Sequence, residues 1–270
     1  MNIIRPQWAA PSNVKAVSST RHGGLSQGEF AGLNLGLHVG DQADVVQQNR
    51  QILASELGLK SDPVWLNQVH STDVIETEGR LLSAADGSLP PVADGSLPPV
   101  ADGSLAPVAD GSLSPLADGS YTSKPNVVCA VMTADCLPLL LTNTHGTQVA
   151  AIHVGWRGLA DGIVERAIST FDCQKRDIIA WAGPCIGSGA FEIGGEVRDQ
   201  LGGSNSFYKE NDQKGTYFAN MAALTGERLL NCGVENYIHE NACTFSDPQR
   251  FYSYRRDGQC GRMASLIWME

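Results

Sequence analysis

The stretch that most constrains the fold is residues 127–158, which reads VVCAVMTADCLPLLLTNTHGTQVAAIHVGWRG. Its apolar runs are separated by short polar segments, a pattern typical of buried strands joined by tight turns. Cys136 lies where the first run breaks, and His153 lies near the end of the last run. A thiol and an imidazole placed at the ends of buried strands indicate a functional site as well as a core.

The rest of the chain supplies both strands and helices. Apolar periodicity predicts strands at 14–20, at about 251–255 and at about 263–268. It also predicts three helices. The first is capped by Asp41 or Asp44 and ends at Gly58, and the other two lie at about 158–171 and 217–231. Strands outnumber helices, and they occur both in hairpins and in strand-helix order. The predicted fold class is therefore α+β, or mixed α/β.

Residues 85–124 contain an internal repeat with a period of eight, ADGSLPPV, ADGSLPPV, ADGSLAPV, ADGSLSPL and ADGSYTSK. Each unit has too few apolar residues to stack a solenoid core. Its carboxylates are also too sparse for a calcium-binding repeat. Asp-Gly turns and Pro-Pro pairs instead favour a flexible loop. We interpret the chain as one domain, residues 1–270, with a repeat insertion at 85–116 that forms a surface loop.

Charge and cysteine usage exclude several classes of function. The net charge is -10 and the pI is near 5.0, without a Lys/Arg cluster, which argues against a nucleic acid or an anionic membrane as partner. No apolar run approaches the roughly 20 residues of a membrane span, and the first residues lack the apolar stretch of a signal peptide. Seven scattered cysteines without a CxxC pair predict a reducing, cytoplasmic compartment. No feature of the sequence indicates an oligomeric state.

Cys136 and His153, together with His70 of the upstream string WLNQVH, are the candidate metal ligands. Two imidazoles and a thiolate suit a zinc site that keeps its fourth position open for water. The same donors also suit copper. A metal-free alternative uses Cys136 as a thiolate nucleophile and His153 as its base. The residue types alone leave these three alternatives open.

Further side chains in the same strings are candidates for catalysis or for substrate binding. Asp135 is a candidate general acid or base, with orientation of a ligand or capping of its turn as the alternative role. The substrate-binding candidates are Arg21 and Arg157 for an anion, Asn67 and Gln68 for a sugar or a base, and Phe191 and Tyr254 for stacking on a ring.

Eight longer motifs carry a resemblance to a known family: TRHGG, AGLNLGLHVGD, WLNQVH, VMTADCLPLLL, HVGWRGL, GPCIGSGAFEIGGEVR, FYSYRRDG and GRMASLIW. In these the chain resembles the YfiH-type family, also called multicopper polyphenol oxidoreductase, laccase-domain protein and peptidoglycan editing factor. The resemblance extends over about residues 5–269, and the repeat is its one large departure. The last repeat copy is similar to the family's own segment, so the four earlier copies are the additional ones.

The resemblance implies a fold and a metal site. It implies a layered sandwich of β-sheets with helices outside, similar to a bacterial cytotoxic deamidase toxin. Carried over motif by motif, the family's metal ligands fall on His70, Cys136 and His153. We expect Zn²⁺ there, with copper as the alternative, and Cys136, Asp135 and His153 as the catalytic candidates.

The resemblance also implies a reaction. Members of the family are described as purine nucleoside phosphorylases that cleave adenosine, inosine, guanosine or methylthioadenosine with phosphate, and that deaminate adenosine. The expected partners are therefore a purine nucleoside and phosphate. The alternatives are a cytoplasmic peptidoglycan-precursor editing hydrolase, a copper-dependent polyphenol oxidase (laccase), and a nucleotide-binding protein without catalysis. The laccase alternative is weakened because the chain has only six histidines.

Deletion of residues 85–116 tests the insertion. The deletion removes four repeat copies and leaves the last one in place. We expect metal content, measured by elemental analysis, and turnover to be nearly unchanged, because a surface loop contributes little to the core. A variant that fails to fold would contradict the interpretation.

Overall fold

The computed structural model describes residues 2–78, 105–107 and 113–270. The strands in these residues are β1 (Ile3–Ile4), β2 (Val14–Ser19), β3 (Val74–Glu76), β4 (Leu105–Pro107), β5 (Leu113–Pro115), β6 (Gly119–Thr122), β7 (Cys129–Thr133), β8 (Leu137–Asn143), β9 (Val149–Val154), β10 (Ile178–Ala182), β11 (Glu192–Gly194), β12 (Tyr208–Glu210), β13 (Thr216–Ala219), β14 (Asn236–His239) and β15 (Met263–Met269). The α-helices are α1 (Ala43–Leu57), α2 (Trp156–Asp161), α3 (Ile163–Ser169), α4 (Gly195–Leu201), α5 (Met221–Asn231) and α6 (Tyr254–Asp257). Short 3-10 helices occur at Gly28–Phe30, Leu37–Val39, Lys175–Asp177 and Asn205–Phe207.

Two sheets form the centre of the molecule. One has the strand order β1-β2-β15-β7, and the other has the order β14-β10-β8-β9-β6-β3. Alternate residues of the strands point between the sheets and form a shared core, to which Cys129, Val131, Leu140, Ala151 and Trp181 contribute. A three-stranded sheet, β11-β13-β12, and the pair β4-β5 complete the strand pairing.

Helices cover the outer faces of both central sheets. The core on one side joins the six-stranded sheet to α2, α3 and α5 through residues such as Leu139, Ile152 and Leu224. On the other side, Leu53 of α1 packs with Val17 and Leu266 of the four-stranded sheet. The fold is therefore a layered sandwich of two sheets flanked by helices, which confirms the predicted mixed class.

The start of α1 differs in detail from the prediction. Gly58 ends the helix in the left-handed conformation, as predicted, but Gln42 is the residue that precedes the first turn and its side chain forms no capping bond. Asp41 does not cap because one of its carboxylate oxygens accepts hydrogen bonds from the Ser26 hydroxyl and the Asn34 amide. A loop contact thus replaces the expected helix cap.

Three other elements also differ. The first residues of the predicted helix at about 217–231 belong to β13, so α5 begins only at Met221. The predicted helix at about 158–171 is divided into α2 and α3 by Gly162, whose φ of +98° interrupts the helical path. The predicted strand at about 251–255 is wrong, because the chain there enters the short helix α6. The Ser253 hydroxyl caps this helix by accepting the Arg256 N–H, so these backbone donors are used locally and not in a sheet.

The C-terminal end of the predicted insertion contacts the body of the protein. The Asn67 N–H donates to the carbonyl of Pro115 at 2.8 Å, Leu116 forms a bridge with Asn67, and Pro115 is buried. This end of segment 85–116 is therefore not a surface loop. Its residues 85–104 and 108–112 lie outside the described residues, and for them the surface loop stays a prediction.

The strand pairing decides where the functional site forms. The chain leaves the four-stranded sheet at the end of β7 and enters the six-stranded sheet at β8, so residues 134–136 cross between the two layers. The start of β8 is paired with the end of β9, where Leu137 lies opposite Val154. Strand β6 lies on the other side of β9, and β3 pairs with β6 in parallel. Four separate segments thus meet at one edge of the sandwich.

None of the helices within the described ranges is long and apolar enough to cross a lipid bilayer.

Candidate metal centre

The meeting of these strands brings the three predicted ligands together. Cys136 lies in the crossing between β7 and β8, and His153 lies near the end of β9, opposite Pro138. His70 comes from the loop before β3 and has a φ of +62°, which is uncommon for a residue with a side chain. Their ligand atoms all lie within 4.8 Å of one another. The set that the sequence predicted is therefore one cluster in space.

The distances within the cluster are close to those of a coordination sphere. The Cys136 Sγ lies 3.9 Å from the His70 Nε2, and the two imidazole centroids are 4.8 Å apart at an angle of 79°. Zinc bonds of 2.0–2.3 Å place tetrahedral ligands about 3.5 Å apart. The donors lie wider than this, at separations of up to 4.8 Å.

Asp118 holds the ring of His153 and the backbone of His70, although the sequence did not single it out. Its Oδ1 lies 2.7 Å from the His153 Nδ1 and also accepts the His70 N–H at 3.0 Å. Its Oδ2 accepts the N–H groups of Val69 and Ser71 and the Ser71 hydroxyl. These bonds support the left-handed conformation of His70 and leave the Nε2 of His153 facing the cluster. A carboxylate that orients a histidine in this way is a common support of metal ligands.

The charges of the cluster reinforce one another. Burial by itself lowers the pKa of His153, but the Cys136 thiolate and the Asp118 carboxylate raise it to about 9. Burial raises the pKa of Cys136, but the charges and hydrogen bonds of His153 and His70 outweigh it and lower that pKa to about 6. Burial likewise raises the pKa of Asp118, and bonds from His153 and Ser71 bring it below its usual value. The thiolate, which is the form that binds metals and attacks electrophiles, is therefore favoured near neutral pH.

The donor set fits a metal ion. Two imidazoles and one thiolate are ligand types of zinc sites, and the same set also accepts copper. The Asp118 carboxylate that orients His153 matches the supporting carboxylate of such sites. The His70 side chain is exposed and Cys136 is half-buried, so the cluster opens towards solvent on one side.

Asp135 holds the turn that carries Cys136. Its φ is +90°, and its buried carboxylate accepts bonds from the Thr244 and Ser253 hydroxyls and from the Arg255 N–H. Three donors occupy the carboxylate oxygens, so the arrangement favours the alternative in which Asp135 orients the turn over the one in which it transfers protons.

The cluster lies in a cleft of about 560 Å³, a volume within the usual range for small-molecule sites. Its walls combine apolar, aromatic and cationic side chains, among them Met132, Trp156, Ile186, Phe191, Met221, Tyr254, Arg157, Arg255 and Arg262. Tyr254 is 62% exposed at the rim. The predicted ring-stacking residues, Phe191 and Tyr254, and the predicted anion ligand Arg157 thus face the same cleft as the candidate metal ligands.

Three of the predicted substrate-binding residues have other contacts. Arg21 donates to the carbonyls of Pro248 and Ala31, stacks on a tyrosine ring and does not line the cleft. Asn67 pairs its backbone with the strand segment at 115–117 and does not line the cleft either. Gln68 does line it, but its amide exchanges two 2.8 Å bonds with the backbone of Met132. Its polar atoms therefore fix the loop beside His70.

The residues that the sequence reasoning missed come from two places. Asp118 is the aspartate of the last repeat copy, and its difference from the four preceding Asp-Gly pairs is its position just before β6. Arg255 and Arg262 belong to the C-terminal strings YRRDG and GRM, and only the folded chain brings them to the cleft. In the sequence, only the presence of both strings within the family motifs could have indicated that Arg255 and Arg262 belong to the site.

Asp118→Asn tests the support of the histidines. One oxygen of Asp118 becomes an NH2 group, which cannot accept any of the N–H groups of Val69, His70 and Ser71, so the His70 loop loses part of its anchor in either orientation of the amide. We expect metal affinity to fall roughly 10- to 100-fold, as measured by zinc titration against a competing chelator. Asp199→Asn, at an exposed position of α4, is the control and keeps the affinity unchanged. Equal affinities in the two variants would rule out this role of Asp118.

Gly155→Ala tests the packing of the cluster. A Cβ at this position would lie 2.6 Å from the His70 Cδ2 and 3.6 Å from the Cys136 Sγ, so the His70 ring must move. We expect at least about a tenfold loss of metal affinity with little change in melting temperature. Gly189→Ala is the matched control, because no atom lies within 4 Å of its added Cβ. Retained affinity in Gly155→Ala would show that the cluster tolerates a displaced His70.

Comparison with known proteins places the chain among relatives that match it from end to end. The model of the family described as multi-copper polyphenol oxidoreductase laccase matches residues 15–270. The Escherichia coli protein named purine nucleoside phosphorylase YfiH is 43% identical, over 99% of this chain and 98% of its own length. A Haemophilus influenzae protein named purine nucleoside phosphorylase is 39% identical over 100% of both chains.

Solved structures also match this chain over nearly its whole length. The crystal structure of a Neisseria meningitidis protein covers 100% of both chains with a TM-score of 0.82 and 37% identity. That of YlmD from Geobacillus stearothermophilus covers 96% of this chain and 93% of its own, with a TM-score of 0.81 and 29% identity. The chain therefore belongs to the YfiH family, whose model is described as multi-copper polyphenol oxidoreductase laccase.

Proposed function

We propose that this protein is a zinc-dependent purine nucleoside phosphorylase with adenosine deaminase activity. The observation that carries the proposal is the His70–Cys136–His153 cluster at the side of a cleft that also presents three arginines. Relatives that match the whole chain and are named purine nucleoside phosphorylases support the same reaction class. The proposed substrates are adenosine, inosine, guanosine and methylthioadenosine.

In the proposed phosphorolysis, a phosphate oxygen attacks the anomeric carbon of the ribose. The bond between this carbon and the purine nitrogen breaks, and its electrons leave with the base, which takes up a proton. The products are the free purine and ribose 1-phosphate, or 5-methylthioribose 1-phosphate when methylthioadenosine is the substrate. Arginine side chains in the cleft stabilise the phosphate through charge and hydrogen bonds, because a guanidinium offers paired donors to an oxyanion. The aromatic side chains of Phe191 and Tyr254 provide faces for the base.

In the proposed deamination, water attacks C6 of adenine, the bond from C6 to the amino nitrogen breaks, and ammonia leaves. A zinc ion bound to the cluster would supply Lewis acidity and would lower the pKa of a bound water molecule towards 7. His70, Cys136 and His153 would hold it, and Asp118 would keep the two histidines in place. Phosphorolysis and deamination share the cleft but act on different carbons of the substrate.

A peptidoglycan-precursor hydrolase is the second candidate, and one observation favours it. A depression of about 340 Å³ adjoins the cleft, and His38, Tyr254 and Arg262 border both. The joined space would accommodate a substrate longer than a nucleoside. The same cluster, with zinc or as a free thiolate, suits hydrolysis.

A copper-dependent polyphenol oxidase receives less support. The residues that the structure describes hold one cluster of three or more side chains suited to a metal, and the whole chain has six histidines. Oxidases with several copper ions need many more imidazole ligands than one such cluster provides. Copper in the single cluster remains the alternative metal. We also propose a cytoplasmic location, which the seven free thiols support.

The first experiment is product analysis of the zinc-loaded protein incubated with adenosine. We expect adenine only when phosphate is present, and inosine with or without it. Cys136→Ala removes a ligand, so both activities should fall by at least about a hundredfold, more than the 10- to 100-fold cost of losing a supporting contact. Cys173→Ala, at a half-buried cysteine that does not line the cleft, is the control. No product in any condition would refute the nucleoside reactions and favour the hydrolase.

A further inference from the structure

The cleft concentrates positive charge in an acidic protein. The chain has a net charge of -10, yet Arg157, Arg255 and Arg262 all line the cleft. The lining includes one carboxylate, Asp135, and its oxygens already accept three hydrogen bonds. Within the described ranges, none of the three arginines forms an ion pair. Uncompensated guanidinium groups in a concave surface attract anions.

The three arginines are not equivalent. Arg157 is exposed, and its guanidinium carbon lies 4.4 Å from the centroid of the Trp156 ring. Arg255 is also exposed and donates from Nη1 to the carbonyl of Glu192 at 2.9 Å. Arg262 is half-buried, so its position is the most restricted of the three.

Arg262 is anchored on one side and open on the other. Its Nη1 donates to the carbonyls of Cys260 and Gly261, and its stem packs against the backbone of Gly36. Its Nε and Nη2 have no hydrogen-bond partner among the described residues, because the bonds of this side chain all start from Nη1. A fixed guanidinium with two unused neighbouring donors has the geometry that binds an oxyanion through paired bonds.

The surroundings of Arg262 leave its charge uncompensated. Burial and the charges of Arg262 and Arg50 lower the pKa of His38 to about 4, so this imidazole is neutral at pH 7. Tyr254 lies on the other side, with its ring centroid 5.9 Å from the guanidinium carbon. Both neighbours border the cleft and the adjoining depression, as Arg262 does. An anion held here would lie in the same cleft as the candidate metal centre.

From this arrangement we infer that Arg262 is the main ligand of an oxyanion subsite, which takes inorganic phosphate as the attacking co-substrate. The identity of the anion rests on the proposed phosphorolysis, whereas the existence of the subsite rests on the geometry of Arg262. Arg255 contributes long-range charge from its exposed position, and Arg157 lies on α2 with its guanidinium over the Trp156 ring. Arg21, which the sequence suggested as an anion ligand, has no part in the subsite.

Arg262→Gln tests the inference in the zinc-loaded full chain. Initial rates are measured against phosphate at saturating nucleoside, and against nucleoside at saturating phosphate. We expect the KM for phosphate to rise at least roughly tenfold, because hydrogen bonds from a charged donor are lost, and the KM for nucleoside to change by less than about threefold. Arg262→Lys retains the charge without the paired donors and should lie between wild type and Arg262→Gln.

The matched control is Arg176→Gln. Arg176 is an exposed arginine on the 3-10 helix Lys175–Asp177 that does not line the cleft, and the substitution removes the same charge. Unchanged melting temperature and zinc content establish that each variant is folded and loaded. If Arg262→Gln has a changed melting temperature or zinc content, the KM for phosphate of Arg262→Lys is compared with that of the control instead. A KM for phosphate equal to that of the control would overturn the inference.

Calorimetric titration with inorganic phosphate separates the subsite from the proposed function. Saturable binding to wild type and Arg176→Gln that weakens at least roughly tenfold in Arg262→Gln supports the subsite even when no nucleoside is cleaved. That result would contradict the proposed phosphorolysis and support the phosphate subsite. Phosphate binding of equal strength in all variants, or none in wild type, overturns the subsite whether or not the protein cleaves nucleosides.

Discussion

The site depends on one buried carboxylate, that of Asp118. It accepts three backbone N–H groups and a hydroxyl from the His70 loop while it bonds to the ring of His153. A buried charge is costly unless donors surround it, so the carboxylate and the loop stabilise each other. Because β6 lies between β3 and β9, this single group is within reach of both histidines. The positions of two candidate ligands are thus set by the pairing of strands.

A second buried carboxylate, Asp135, organises the opposite side of the cluster. Its donors come from Thr244, Ser253 and Arg255, which lie more than a hundred residues further along the chain. The same contacts that hold the Cys136 turn therefore bring the C-terminal segment, with its arginines, to the cleft. The candidate metal ligands and the arginines of the cleft are joined through this one side chain, so a disturbance of the turn should affect both.

The sequence and the fold agree where local rules decide the structure. The apolar runs around Cys136 are the strands β7, β8 and β9, and Gly58 ends α1, because alternation and helix termination depend on nearby residues. The family motifs supplied the ligand set, which spacing alone left open. Asp118 was missed because its tetrapeptide looks identical to four others, and only pairing with β9 distinguishes it. The segment 251–255 was wrongly predicted because Asp135 accepts the Arg255 N–H and Ser253 accepts the Arg256 N–H, where α6 begins.

The position of Asp118 within the repeat has a consequence for heredity. Every copy of the unit carries the same Ala-Asp-Gly-Ser, and the copy before Tyr121 is the one used in the site. When a replicating DNA strand slips by whole units, the reading frame and the tetrapeptide before Tyr121 are both preserved. Copy number in the gene can therefore drift between generations without replacing the carboxylate that holds the two histidines.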